Sequence, residues 1–393
     1  MKRRSPQQAL NDYTDREHSQ VKHAILESYL ERCLMIIGRH FSKIAYIDCF
    51  AGPWQSTTPD LSDTSPGIAI KTMATCDLAL KKKHHAHARL RSIFIEADPQ
   101  RADQLDAYVQ RCPSNITPPE VWRKPFENSI PEILAWLEPG EFAFMFVDPF
   151  GWKGVVDPKV LAPLLQRTNT ELLINFMWNF LNLATGHEDQ HQNLTAIFGK
   201  DWQEAATGSS EDKRIRLMRR YRQQLVEAAN HSAVPLRTAM LPVEYVDRRT
   251  IIFYLVYATH NATGLVVFRE QAEEAAEHQA RIKVQHKLNK IARDTGQDDM
   301  FGADQHRQEQ HSLLVDMKAV WMQQFSKVGD EVVVDYRFMA NLIEHSEFLL
   351  SELQTALREL IGEGMLANLD AKAARPKNAV NYRRKGERLK RLR

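Results

Sequence analysis

Five apolar runs of strand length, separated by stretches of helical period, restrict this chain more than any other feature. They cover 44–50, 92–98, the weaker 120–124, 142–148 and 171–177. The fourth and fifth are almost continuously apolar, which is the pattern of strands covered on both faces in a parallel sheet. Helical segments at 101–112, 129–137 and 158–167 supply the crossovers, and strand–helix alternation demands a parallel sheet with right-handed connections. Before the first run, Val21, Ile25, Tyr29 and Cys33 form one helical stripe with Leu26, Leu30 and Leu34 beside it, and Gly38 stops it. Runs at 236–243 and 250–260 lie close together and predict an antiparallel pair closing the sheet edge. The expected fold class is α/β, Rossmann-like, with a mostly parallel sheet and a terminal antiparallel pair.

Chain length and charge set the remaining bounds. The 393 residues suffice for one large domain and a smaller one. The formal net charge of +2 says little about partners. Cys33, Cys49, Cys76 and Cys112 form no CxxC pair, so a disulfide framework and a zinc site are not expected and a reducing cytoplasm is. The basic N-terminus lacks an apolar signal region and no run could span a bilayer, so no membrane association is expected. His84, His85 and His87 read as part of a basic loop with Lys81–Lys83. His187 and His191 have helical spacing without a third ligand, and no metal is expected.

The strand tips carry the chemistry. The first ends in DCFAGPW, where Asp48, Phe50 and Gly52 stand at the place a nucleotide approaches the backbone in a doubly wound fold. The second ends in Glu96-Ala-Asp98. Glu96 is placed to accept hydrogen bonds from ribose hydroxyls, while Asp98 before Pro99 reads as a helix cap. After the third, Phe126 and Glu127 stand where an adenine ring would lie, with Asn128 or Ser129 as a helix cap. The fourth ends in Asp148-Pro149-Phe150-Gly151. An acid, a proline and an aromatic at this tip suit an exocyclic amine, whose hydrogens the carboxylate accepts while the ring stacks on its plane. Asn175, Trp178 and Asn179 follow the fifth. Together these residues imply S-adenosylmethionine (SAM) as cofactor and a SAM-dependent methyltransferase fold.

Several strings extend the pattern: Lys22-His23, YIDCFAGPW, SPGIAI from Ser65, FIEADPQR, FVDPFGWKG, ELLINFMWNF and YLVYATH from Tyr254. In this order, over residues 22–264, they resemble the three-Cys-motif partner proteins (TcmP), a methyltransferase-like family. The resemblance implies a Rossmann-like fold, a SAM site and a partner protein with a three-cysteine motif resembling radical-SAM enzymes. Trp54 departs from it, because family members usually carry a second glycine there.

The expected domains are a Rossmann-like unit over 1–265, a helical linker over 266–310, a winged helix-turn-helix over 311–370 and a basic tail over 371–393. Within the second half, helices are expected at 313–325, 336–343 and 347–361, the last capped by Ser346. Arg383, Arg384, Lys385, Arg388, Lys390 and Arg391 are the candidate phosphate contacts to DNA or RNA. The leading expectation is methyl transfer to an amino group of a nucleic-acid base. The alternatives are a non-catalytic methyltransferase-fold module serving a partner, which Trp54 favours, and a nuclease of a mobile-element or defence system.

Overall fold

The computed structural model describes residues 16–52, 56, 61–149, 151, 154–230, 232–244, 250–274, 316–344, 348–372 and 378–393. Trp54, Phe150, Ser346 and most of the expected helical linker lie outside them. The chain divides into two compact units, Met1–Asn261 and Ala262–Arg393.

The first unit opens with helix α1 (Arg16–Ile37), in which Ile25, Leu26, Tyr29, Leu30, Cys33 and Leu34 are all buried. Strands and helices then alternate: β1 (Lys43–Asp48), α2 (Ser65–His84), β2 (Arg89–Ile95), α3 (Pro99–Val109), β3 (Glu120–Trp122), α4 (Phe126–Trp136), β4 (Phe142–Val147), α5 (Pro158–Leu165) and β5 (Thr170–Phe176). After four α-helices and one short 3-10 helix within 178–228 come β6 (Arg237–Glu244) and β7 (Ile251–Thr259). The seven strands order as β3-β2-β1-β4-β5-β7-β6. The first five are parallel, and β7 runs antiparallel to both β5 and β6. This is the α/β Rossmann-like sheet with a terminal antiparallel pair that the apolar runs predict.

Every residue of β4 and β5 is buried, because the sheet is covered on both sides. One layer gathers Ala45, Ile47, Met145 and Ile174 against α4, α5 and the helix Ser210–Ala228. On the other face Tyr29 of α1 packs against Phe144, with ring centroids 5.6 Å apart, and Tyr46 stacks on Phe144. Helix α2 is absent from the sequence expectations. Its buried residues run almost continuously from Ser65 to Ala74, so no one-sided stripe marks it, and Thr64 caps it by accepting from the Gly67 amide. Lys81, Lys82, Lys83 and His84 are its last turn rather than a loop, and His85 closes it in the left-handed conformation.

A buried carboxylate sits at the start of β5. Glu171 is 2% exposed and accepts from Tyr29 Oη at 2.7 Å and Thr259 Oγ1 at 3.1 Å, while Tyr29 and Tyr257 share a 2.6 Å hydrogen bond. Burial pushes the Glu171 carboxyl above its ordinary range, against these donors. Removing one hydroxyl leaves a buried acceptor short of a partner. Tyr29→Phe is therefore expected to cost about 1–3 kcal/mol of stability in urea unfolding, and a loss within error of zero would show the network to be dispensable.

The helix Ser210–Ala228 is rich in cations, yet they serve the fold. Arg216 donates to the carbonyls of Ala205 and Thr207, and Arg220 to those of Phe198 and Lys200. Each closes the carboxyl end of a neighbouring helix, where unpaired carbonyls and the dipole favour a cation. No helix among the described residues is long and apolar enough to cross a membrane.

The second unit holds helical residues 262–274 and 316–322, then β8 (Glu331–Val334), the helices Tyr336–Glu344 and Leu350–Gly362, β9 (Leu366–Asn368) and β10 (Glu387–Arg391). Trp321, fully buried, donates its indole N–H to the Leu353 carbonyl at 2.8 Å. The strands order as β8-β10-β9, both pairings antiparallel. The segment expected as a tail from 371 onward thus includes a central strand. Within it Glu387 and Leu389 are buried while Arg388 is exposed, a two-residue alternation that the count of cations conceals.

Candidate functional site

The order β2-β1-β4 sets the carboxyl ends of these three parallel strands side by side, and an acid stands at the tip or directly after it: Glu96 after β2, Asp48 at the end of β1 and Asp148 after β4. Backbone bonds hold the tips in register, with the Cys49 amide on the Phe146 carbonyl at 2.9 Å and the Ala51 amide on the Ile95 carbonyl at 2.8 Å. A doubly wound sheet binds its ligand at this edge.

Asp48 is completely buried. Its carboxylate accepts from the Phe50 amide at 3.3 Å and the Tyr46 hydroxyl at 3.4 Å, and Ser65 also hydrogen-bonds to it. Burial pushes its pKa up to about 7, these donors oppose the rise, and the nearby Asp148 adds to it. A buried acid of this kind is poised to take a cationic group. Gly52 follows on the same buried loop.

Glu96 is 7% exposed and accepts from the Asp98 amide at 2.7 Å, while Asp98 caps α3 through the Arg101 amide. Phe126 is the buried first residue of α4, 5.5 Å from the Phe50 ring, and Glu127 beside it is exposed. Neither Asn128 nor Ser129 caps this helix. It begins at Phe126, and Ser129 bonds back to the Pro125 carbonyl.

Asp148 has partners that its tetrapeptide does not reveal. Lys22, reaching across from α1, places its ammonium 2.5 Å from Oδ2, and the Asn175 side-chain amide donates to Oδ1 at 2.6 Å. The two side chains of the ion pair are 10% and 18% exposed, so removing one partner costs far more than it would in a surface pair. The carbonyl of the buried Pro149 accepts from the Gly151 amide at 3.0 Å. The carboxylate expected to receive an amine's hydrogens is therefore already engaged at both oxygens. Sequence reasoning quoted Lys22 within the Lys22-His23 string of the resemblance and gave it no role at the site. A lysine three and four residues before Ile25 and Leu26, in line with a buried stripe, was the available signal.

Two neighbours complete the electrostatics. His23 is held near a pKa of about 4, chiefly by burial and then by the Lys22 charge, with Asp148 and Asp63 opposing, so its ring is neutral at physiological pH. Asn175 is 1% exposed, and its Oδ1 is a buried acceptor with no partner among the described groups. Elsewhere, the half-buried His191 packs edge-on against Trp202 with centroids 5.3 Å apart. Among the described residues no three His, Cys, Asp or Glu side chains gather as a metal site.

Of the six cations singled out for phosphate, three form ion pairs: Arg383 with Glu270, Arg388 with Asp370 and Lys390 with Glu331. Arg391 donates to the carbonyls of Phe325 and Arg393. Arg384 and Lys385 are exposed at the turn before β10, where Arg384 is left-handed with φ 61°.

No protein-family model matches the chain, and no curated protein does. Among solved structures it is similar to a Legionella pneumophila protein of the DUF519 family, with 11% identity and a TM-score of 0.35 over 60% of this chain and 84% of that one. It is also similar to an O-methyltransferase from Bacillus cereus solved in complex with SAH, with 15% identity and a TM-score of 0.31 over 59% of this chain and 80% of the other.

Proposed function

We propose that the protein is a SAM-dependent methyltransferase acting on nucleic acid. The observation that carries this reading is the set of acids on the adjoining tips of β2, β1 and β4, with a buried Asp48 between the other two. The residues fit the cofactor. Asp48 would pair with its amino group, the Gly52 backbone would lie along it, Glu96 would accept from its ribose hydroxyls, and Phe50, Phe126 and Glu127 would border its adenine. Bound there, SAM supplies an electrophilic methyl group. The chain's part is to orient the acceptor, exclude water and take up the acceptor's proton at the Asp148 tip.

The acceptor group that the sequence pattern Asp148-Pro149-Phe150 suits is an exocyclic amine of a base. The second unit supports nucleic acid as the partner. Its order of helix, strand, helix, helix, strand, strand is the order of a winged helix, and the exposed Arg384 and Lys385 stand on the connection that would be its wing. A three-cysteine-motif protein as a second partner follows from the TcmP resemblance alone.

Isothermal calorimetry with SAM is the direct test. Saturable binding in the micromolar range is expected, weakened strongly by Glu96→Ala, and an absence of heat at millimolar SAM removes the reading.

A further inference from the structure

We propose that Lys22 and Asn175 are positioning residues for methyl transfer, which together fix the turn of the Asp148 carboxylate so that its remaining lone pairs meet the acceptor's amino group. This goes beyond the methyltransferase reading above and rests on it. A carboxylate turns readily about its last bond, whose torsion is broad. At this tip it is gripped by two separate elements. Lys22 of α1 stands 2.5 Å from Oδ2, and the Asn175 amide donates to Oδ1 at 2.6 Å. Val147 is level with Ile174 in the parallel pairing of β4 and β5, so Asp148 and Asn175 leave the sheet as neighbours. Lys22 lies about two turns before Tyr29, whose ring packs on Phe144 of β4, so the helix stripe that covers this strand also delivers the ammonium to its end. The two donors leave open two of the four lone-pair sites of the carboxylate. With 18% of its side chain exposed, Asp148 can present these to a ligand.

An amine whose hydrogens are accepted has its nitrogen lone pair aimed by the acceptors, so the turn of the carboxylate sets the line of attack. In the transfer that lone pair forms the bond to the methyl carbon, while the bond from this carbon to the sulfonium sulfur breaks and its electron pair stays on sulfur. The nitrogen then gives up one hydrogen as a proton, to Asp148 and on to water. Burial sets the two residues apart from ordinary packing. Asn175 is 1% exposed, and its Oδ1 has no partner among the described groups. A buried oxygen without a donor weakens a fold, and a leucine of similar size would remove that weakness. Apolar groups in place of Lys22 and Asp148 would likewise remove the desolvation of a buried ion pair. The chain keeps both arrangements, and both end on the same carboxylate. Departures from the most stable choice that converge on one group mark a site held for chemistry.

Four variants test this: Lys22→Met, Lys22→Arg, Asn175→Leu, and Lys22→Met combined with Asn175→Leu. Thermal melts report whether each is folded, and calorimetry measures its affinity for SAM. Turnover is read at saturating methyl-labelled SAM, with total RNA and total DNA from a host deleted for this chain as acceptors. SAM affinity is expected to stay close to that of the wild type in every folded variant. Turnover is expected to fall by about 10- to 100-fold in Lys22→Met and in Asn175→Leu. Lys22→Arg keeps a cationic donor on Oδ2 and recovers most of the rate, which it could not do if Lys22 had to accept a proton. The double variant is little slower than the worse single one, because a carboxylate freed at one oxygen has no fixed turn left to lose. SAM that fails to bind the wild type, or binds with no label entering either nucleic acid, removes the methyltransferase reading and the positioning role with it. Where label does enter, wild-type turnover in a single variant overturns the positioning role alone. So do losses that multiply in the double variant, and a folded Lys22→Arg as slow as Lys22→Met. If Lys22→Met does not fold, Asn175→Leu, which strands no charge, decides between a selective loss of turnover and none.

Discussion

In an Asp148→Ala protein the stability to urea is expected to fall by roughly 3 kcal/mol, because the substitution strands a buried lysine charge. Lys22 as a residue is 8% exposed, and the carboxylate 2.5 Å away is its ion-pair partner. The same change leaves the Asn175 N–H group without its acceptor. Removing both charges together, as in Lys22→Met with Asp148→Leu, is expected to recover much of the loss, since a buried pair replaced by apolar groups often costs little. A double-mutant cycle measures this coupling directly. If each single change costs under about 0.5 kcal/mol, the pair behaves like a surface contact and the site is wetter than its burial indicates.

Asp48→Asn is expected to act in the opposite direction. The wild-type carboxyl has a pKa of about 7, raised from 3.8 mainly by burial, so folding takes up a proton between these values. Its contribution to stability is fully present below the unfolded value and is lost as pH rises through 7. A tenfold change in proton affinity is worth about 1.4 kcal/mol, so the ionised acid costs the native state on the order of 2–4 kcal/mol above about pH 8. Asparagine keeps the shape without the charge. The variant is expected to be more stable than wild type by about that amount in mildly alkaline buffer, with the gain shrinking toward acid pH. SAM binding should move the other way, tightening for the wild type between pH 6 and pH 8 as Asp48 ionises, and becoming weak and flat with pH in the variant. Melting curves and calorimetry across this range decide it. Equal pH slopes for the two proteins would mean that Asp48 is not the group whose burial is being measured.

What was legible in the sequence follows from what a short window can contain. The runs at β4 and β5 announce themselves because both faces are covered and nearly every residue is apolar. The acids at the tips of β1, β2 and β4 were visible because each lies next to its strand. The role of Lys22 was not, since its partner is 126 residues away and only the folded sheet brings them together. Helix α2 was overlooked for a different reason. Covered nearly all round over its first half, it has no polar face to set a period. At β10 the cations outnumber everything else and suggest a solvated tail, whereas Leu389 with Glu387, which accepts from the Asn381 amide at 2.8 Å, anchors the strand in its sheet.

The place of β7 between β5 and β6 bears on how the chain is made. Residues 170–176 find their outer neighbour only in 251–259. A ribosome that has delivered everything through the helix Ser210–Ala228 has produced a wholly buried-type strand whose outer amides and carbonyls still lack their partners. Such an open rim invites pairing with another nascent copy. Slower synthesis across the stretch before residue 251 is therefore expected to lengthen the time for which this rim stays open.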